Sequence, residues 1–290
     1  MLDLESSRSA FSPAPRVVAV DLDGTLLPLL LDGTQALSPL TVATTRELTR
    51  IGITTILVTG RMFRSAAHFA RELGLDGPVA AYQGALIRDV RSGRLLHHDP
   101  VPLDVAREIL EYLGPYECTV NLYVNDELCV ASRSEAVDRY ERLSGMKAHV
   151  VGSLSRYLSR PSTKIGVSGD PPVLDDLLAR VRSDFRGRVI AVKTWPFFLE
   201  IASPTATKAR ALQILGDHLG FAAQDVLAFG DSHNDADMLA WAGTGVAMEG
   251  APPEVVAAAD VVCASVEQDG FARYVRQQPW FHVGAPDTYA

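Results

Sequence analysis

At 290 residues, with 47% hydrophobic and 21% charged side chains, the chain has globular composition and length enough for two domains, which excludes a disordered, collagen-like or coiled-coil polypeptide. Its 27 Lys and Arg stand against 35 Asp and Glu, a net charge of −8 that argues against nucleic acid or an anionic membrane surface as partner. A small anionic substrate stays open, because a local pocket can oppose the global charge.

Residues 1–15 read as a frayed leader ending at Pro13 and Pro15; Asp3 and Glu5, with no apolar core, argue against a secretory signal. Val17–Val20 is a short, β-branched apolar run that predicts a buried parallel strand ending at Asp21. The aliphatic Leu29–Leu31 is far too short to span a bilayer. Ser38 as N-cap and Pro39 at the first helical position open a helix to Ile51, which Gly52 stops. Ile53–Val58 is a second buried strand ending at Thr59-Gly60. Arg61–Leu73 is a second helix, stopped by Gly74, and Pro78–Tyr82 is a third strand. From Ile87 to about Val192 the rhythm changes. Arg91-Ser92-Gly93-Arg94 and Val124-Asn125-Asp126-Glu127 read as turns between extended runs such as Thr119–Val124 and Leu128–Ala131, with helices at Leu103–Leu113 and Val173–Val181. After Glu200-Ile201 the α/β rhythm returns. Thr207–Leu219 is helical, Val226–Phe229 is a buried strand reaching Gly230-Asp231, and Asp235–Ala242 is helical. Gly245–Met248, Pro253–Ala259 and Val261–Val262 follow as strand, helix and strand. The expected fold is α/β: a doubly wound, Rossmann-like parallel sheet encoded by residues 1–84 and 200–290, with a large α+β domain, 85–199, inserted between them. Cys118, Cys129 and Cys263 are isolated, so neither a disulfide framework nor a thiolate zinc site is expected, and a reducing cytoplasm is the expected location.

Chemistry collects at the strand ends. Asp21 and Asp23 lie two apart at the tip of the first strand, so they leave it toward one side, and Gly24 permits the turn that follows. Two adjacent carboxylates need a proton, a cation or water between them. In isolation the Asp-Leu-Asp-Gly-Thr run reads nearly as well as a plain strand-end turn, where Asp and Gly are common. Gly230-Asp231-Ser232-His233-Asn234-Asp235 brings two more carboxylates to the end of another apolar strand. If the two strands are neighbours where strand order reverses, Asp21, Asp23, Asp231 and Asp235 converge. Four carboxylates without a Cys or His pair favour an oxygen-liganded hard cation, Mg²⁺ above Zn²⁺. Thr59-Gly60 offers a hydroxyl and backbone N–H groups, and Lys208 offers a charge at the start of a helix. Alone these would be a cap and a solvated side chain; together with the two Asp motifs they form a phosphate site.

Asp21-Leu22-Asp23-Gly24-Thr25, Thr59-Gly60-Arg61, Lys208 and Gly230-Asp231-Ser232-His233-Asn234-Asp235 resemble the four ordered motifs of the haloacid dehalogenase-like superfamily. The inserted domain is similar to the large α/β cap of its Cof-type phosphatases. The resemblance implies a Mg²⁺-dependent phosphatase of small phosphorylated metabolites, of sugar phosphate, flavin mononucleotide or pyridoxal phosphate type, working through an aspartyl-phosphate. By it Asp21 is the nucleophile, and Asp23 protonates the leaving alcohol and then activates water. Asp21, Asp23 (through its backbone carbonyl), Asp231 and Asp235 serve the metal, and Thr59, Gly60, Lys208 and Asn234 bind phosphate. The rival readings are a phosphomutase of the same chemistry and a non-catalytic phosphate-ester sensor. Neither nucleic acid nor membrane is an expected partner, and the expected state is a monomer or homodimer. Gln83-Gly84 stands where the family often has Asn-Gly, Ala209 replaces a common Gly, and Pro28–Gln35 is longer than usual. Gln83, Gly84, Lys164 and Lys193 are candidate substrate contacts.

Overall fold

The computed structural model describes residues 14–28 and 35–282. The leader up to Pro13 and the Pro28–Gln35 loop between its two end residues lie outside the described residues. β1 (Val17–Val20) is buried along its whole length. α1 (Pro39–Arg50) starts as expected, with the Ser38 hydroxyl accepting the Thr41 N–H at 3.0 Å. β2 (Thr54–Leu57), α2 (Phe63–Leu73) and β3 (Pro78–Ala81) follow. β4 (Leu86–Asp89) and β5 (Leu95–His98) fold back antiparallel on β3, and a bridge between Val58 and Ala80 joins this small sheet to the end of β2.

The chain then builds a second layer system from α3 (Leu103–Leu113), β6 (Thr119–Val124), β7 (Glu127–Val130), α4 (Glu135–Ser144), β8 (Ala148–Val150), α5 (Leu154–Tyr157), β9 (Lys164–Ser168), α6 (Pro171–Asp184), β10 (Ile190–Trp195) and β11 (Phe198–Ala202). Its six-stranded sheet runs β10-β11-β9-β6-β7-β8. α7 (Lys208–Leu219), β12 (Val226–Gly230), α8 (Ala236–Trp241), β13 (Thr244–Met248), α9 (Pro253–Ala258), β14 (Val261–Cys263), α10 (Gly270–Arg276) and α11 (Pro279–His282) complete the first unit. The boundary expected after residue 84 falls between β3 and its hydrogen-bonded partner β4, and the one at 200 falls inside β11.

The core sheet has the order β14-β13-β12-β1-β2, all parallel, which is the doubly wound α/β architecture read from the sequence. Period-2 alternation explains why its strands are apolar throughout. Val18, Val20, Leu57 and Phe229 pack against α1, α2 and α10, while Val17, Ala19, Ile56 and Ala228 pack against α7 and α8. β1 and β12 are neighbours in register, Val20 opposite Phe229. From β1 the chain winds to β2 on one side, and from β12 to β13 on the other, so the strand order reverses between the two Asp motifs.

In the six-stranded sheet Leu122, Ile165, Val167, Leu199 and Ile201 face α3 and α6. The alternate positions on the other face include Asn121, Tyr123, Lys164, Phe198 and Glu200. Tyr123, Leu128, Phe198 and, from α4, Tyr140 share a hydrophobic cluster with core residues, so this face is turned toward the core. The periodicity did not predict α4, because its ten residues are largely polar and Val137 and Tyr140 are its buried apolar anchors. Among the described residues no helix is long and apolar enough to cross a membrane.

Candidate active site

Asp21 is the first residue past β1, with its backbone N–H donating to the Phe229 carbonyl at 3.1 Å, so it sits beside β12 at the carboxyl edge of the sheet. Asp231 leaves β12 at the same edge, and Asp235 comes back to it at the foot of α8. Oxygens of Asp21, Asp231 and Asp235 lie within 4.8 Å of one another. Lys208, fully buried at the first position of α7, places its Nζ 2.7 Å from Asp21 Oδ1 and 2.5 Å from Asp235 Oδ1. A cation at a helix N-terminus opposes the helix dipole. These two carboxylates are what hold it there. Burial alone would lower the Lys208 pKa, but Asp21 and Asp235 overcome that and raise it.

The carboxylates differ in role. Asp235 is structurally committed: its Oδ2 accepts the N–H groups of Asp231 and Ser232, each at 3.0 Å, and its Oδ1 takes Lys208. Asp21 is held well above the usual carboxylate range, first by burial, then by Asp235, Asp231 and Asp23, with Lys208 pulling the other way. Asp231 is pushed up to about 7 by burial and the neighbouring Asp235, although the Thr25 hydroxyl donates to its Oδ1 at 3.0 Å. Three clustered carboxylates against one lysine leave excess negative charge in a buried place. An all-oxygen donor set of this kind fits a hard divalent cation.

Gly24 lets this cluster close. Its φ is +83°, and a Cβ there would lie 2.2 Å from Asp231 Oδ2. Gly24→Ala is therefore expected to cost about 1–3 kcal/mol through the strained backbone alone, with displacement of Asp231 in addition. Urea unfolding of the two proteins measures the loss, and equal midpoints would show that the turn can yield.

Asp23 is not part of the cluster. The expected convergence of four carboxylates is a convergence of three, because the Asp23 side chain, 31% exposed, is clamped by Arg61. The guanidinium donates from Nε to Oδ2 at 2.7 Å and from Nη2 to Oδ1 at 2.5 Å, and Gln35 bonds both Asp23 and Arg61. The Phe69 ring supports Arg61, its centroid 5.0 Å from Cζ. Arg61, Gln35 and Thr25 received no role from the sequence. Arg61 follows Thr59-Gly60 directly, but its reach back across the sheet edge depends on where β1 and β2 stand.

The phosphate-loop candidates do come together. Thr59 Oγ1 is buried and accepts the Arg61 N–H at 3.2 Å. Gln83 leans on Gly60, where an added Cβ would lie 2.4 Å from Gln83 Nε2, and its Oε1 accepts from Asn234 Nδ2 at 2.8 Å. Tyr82 and Gln83 both have positive φ, 53° and 60°, a left-handed pair that presents the amide to the site. Gly84 is pressed against the Thr207 carbonyl just ahead of Lys208. Of the two cap lysines, Lys164 lies on the sheet face turned to the core, ion-paired with Glu200 at 2.5 Å and 4.9 Å above the Tyr123 ring. Lys193 is not brought to the site. It neighbours Leu199 in register, on the α6 side of the sheet, and pairs with Asp175 of that helix.

Residues 18–275 match the model of a family described as haloacid dehalogenase-like hydrolase. The chain is 29% identical over 273 residues to the 5-amino-6-(5-phospho-D-ribitylamino)uracil phosphatase of Bacillus subtilis, covering 91% of this chain and 97% of that one. It is also 29% identical over 240 residues to the HMP-PP phosphatase of Escherichia fergusonii, covering 83% and 86%. In fold it is similar to the crystal structure of a haloacid dehalogenase-like hydrolase from Bacteroides thetaiotaomicron, with a TM-score of 0.84 at 24% identity over 91% of this chain and 99% of that one.

Proposed function

The chain belongs to the haloacid dehalogenase-like hydrolase family, and on that premise we propose that it is a phosphatase of small phosphorylated metabolites, with Asp21 as nucleophile and Mg²⁺ as the required cation. The observation that carries the reading is the Asp21 carboxylate, aimed out of the sheet edge, ion-paired to a buried lysine and next to the Asp231–Asp235 cluster.

Asp21 attacks phosphorus and displaces the alcohol, so one difficult displacement becomes two easier ones. The phosphoryl transition state asks for positioning and charge neutralisation above all. Lys208 supplies fixed positive charge, with its ammonium oriented by Asp235. The Thr59 hydroxyl, the Gly60 N–H and Asn234, steadied by Gln83, bind the phosphoryl oxygens. Asp21 and Asp231 would hold the cation together with the Asp23 backbone carbonyl. When bound, that ion supplies neutralising charge to both the nucleophile and the phosphoryl group. Asp23, once it leaves Arg61, gives a proton to the alcohol and then takes one from water, which releases phosphate and restores Asp21.

The inserted unit, from the end of β5 to the end of β11, is the cap that chooses the leaving group. Its inner face presents Asn121, 1% exposed with neither amide atom bonded, beside the Lys164–Glu200 pair. Because Glu200 answers the Lys164 charge, this face suits a neutral leaving group rich in hydroxyl or amide groups better than a second phosphate. Sugar phosphates, flavin mononucleotide and pyridoxal phosphate are therefore the classes to screen.

The test is release of inorganic phosphate from such a panel in Mg²⁺, in chelator and in Ca²⁺. Turnover is expected in Mg²⁺, loss in chelator and inhibition by Ca²⁺, whose larger and looser coordination misplaces the nucleophile. Full turnover in metal-free buffer would remove the cation from the reading. Phosphoryl return to substrate without free phosphate would favour the phosphomutase, and binding without turnover the sensor.

A further inference from the structure

We propose that Asp126, at the tip of the β6–β7 hairpin, latches the inserted sheet onto the core and positions both segments that flank the phosphate loop. Strands β6 and β7 are joined by the two residues Asn125 and Asp126, with φ of 55° and 61°. This is the paired left-handed backbone of a type I′ hairpin, whose second position favours glycine. Here it is an aspartate, and a 99% buried one. A carboxylate at a strained, buried turn position needs an offsetting interaction, and that interaction comes from the other unit.

The N-cap of α2 is Met62, whose side chain cannot cap it, so the first N–H groups of the helix need an outside acceptor. Asp126 is that acceptor. Its Oδ1 takes the Phe63 N–H and its Oδ2 the Arg64 N–H, both at 2.9 Å. The Tyr82 hydroxyl also donates to Oδ1, at 2.8 Å. The Arg64 guanidinium lies 3.7 Å from Asp126 Oδ2 and 3.2 Å from Glu127 on the same hairpin. A side chain of the inserted unit thus caps a core helix from outside it.

The two core segments it grips flank the phosphate site. Phe63 stands two residues past Arg61, the end of the Thr59-Gly60-Arg61 run, and Tyr82 directly precedes Gln83, which rests on Gly60 and bonds Asn234. When the hairpin lifts away, α2 loses its cap and Tyr82 its acceptor together. Closure and the setting of the phosphate loop are therefore one event, and only a closed molecule has the loop fully placed. The positioning half of this inference rests on the phosphatase reading; the latch half does not.

The experiment reads both halves separately in the full-length protein. Small-angle X-ray scattering of wild type, Asp126→Ala and Tyr82→Phe reports closure without reference to activity. The radius of gyration is expected to rise in Asp126→Ala and less in Tyr82→Phe, which keeps the α2 cap. Steady-state kinetics with the best panel substrate should show kcat lowered roughly 10- to 100-fold in Asp126→Ala, the size of loss that misplacement by an ångström produces. Should the alanine variant not fold, Asp126→Asn has the same shape and can accept only one of the two N–H groups, so it should give the same changes in smaller measure. A scattering curve for Asp126→Ala, or for Asp126→Asn in its place, that superimposes on wild type would overturn the latch. An opened molecule with unchanged kcat would overturn the positioning role.

Discussion

Asp21→Asn is expected to lower phosphate release by roughly 10⁴–10⁶-fold, the scale seen when a covalent nucleophile is removed, while the protein stays folded and gains stability. The first half follows from chemistry: a carboxamide has nearly the shape of the carboxylate and no useful nucleophilicity. The second half follows from the site. Asp21 is buried beside Asp231 and Asp235, and its folded-state pKa is raised above the ordinary carboxylate range. A raised carboxylate pKa contributes stability that is present at low pH and lost as pH rises through the folded value. Wherever Asp21 ionises without a cation, its charge is therefore a burden that asparagine removes. Lys208 keeps Asp235 at 2.5 Å, so it is not orphaned by the change. Calorimetry in chelator should find the variant melting higher than wild type at pH 7.5, with the gap narrowing toward pH 4. Turnover near wild type would move the nucleophile elsewhere. A variant melting well below wild type would show that Asp21 is needed to hold Lys208.

The parts of this site that were legible in the sequence are those fixed by strand ends. A buried β-branched run stopping at an aspartate puts that aspartate at a sheet edge, and two such runs on neighbouring parallel strands bring Asp21 and Asp231 together. Lys208 was legible by position but not by burial, since a lysine opening a helix is ordinarily solvated. What depends on side-chain reach was not legible. Asp23 was expected beside Asp21, yet its carboxylate is taken by Arg61, and nothing in the spacing of Thr59-Gly60-Arg61 says that the guanidinium folds back. Lys164 and Lys193 look alike in the sequence. They differ in placement because pairing with β11 sets Lys164 opposite Ala202, on the core side, and Lys193 opposite Leu199, on the helix side. Asp126 was read as a turn residue, which it is; its capping of α2 is a contact between segments more than sixty residues apart.

Replacing Asp23 by asparagine separates leaving groups. In the resting geometry both oxygens of Asp23 accept from Arg61, so neither is turned to a leaving group. To act as acid it must carry a proton and turn from Arg61 to the bridging oxygen, a role proposed for it because it stands two residues from Asp21 at the same sheet edge. A general acid matters in proportion to how poor the leaving group is: a sugar alkoxide needs a proton as the bond breaks, a nitrophenolate does not. General acid–base catalysis is worth about 10²–10⁴-fold, so Asp23→Asn should slow phosphoenzyme formation from a sugar phosphate by roughly that factor. Formation from nitrophenyl phosphate should suffer much less. Hydrolysis of the phosphoenzyme should be slow in both cases, since the same carboxylate is the base for water, and the nitrophenyl reaction should show a burst of nitrophenol followed by accumulated phosphoenzyme. Rapid-quench measurement with each substrate reads both steps. If the two leaving groups lose the same factor in the first step, Asp23 serves to hold Arg61 in place, and the proton must come from another group or from solvent.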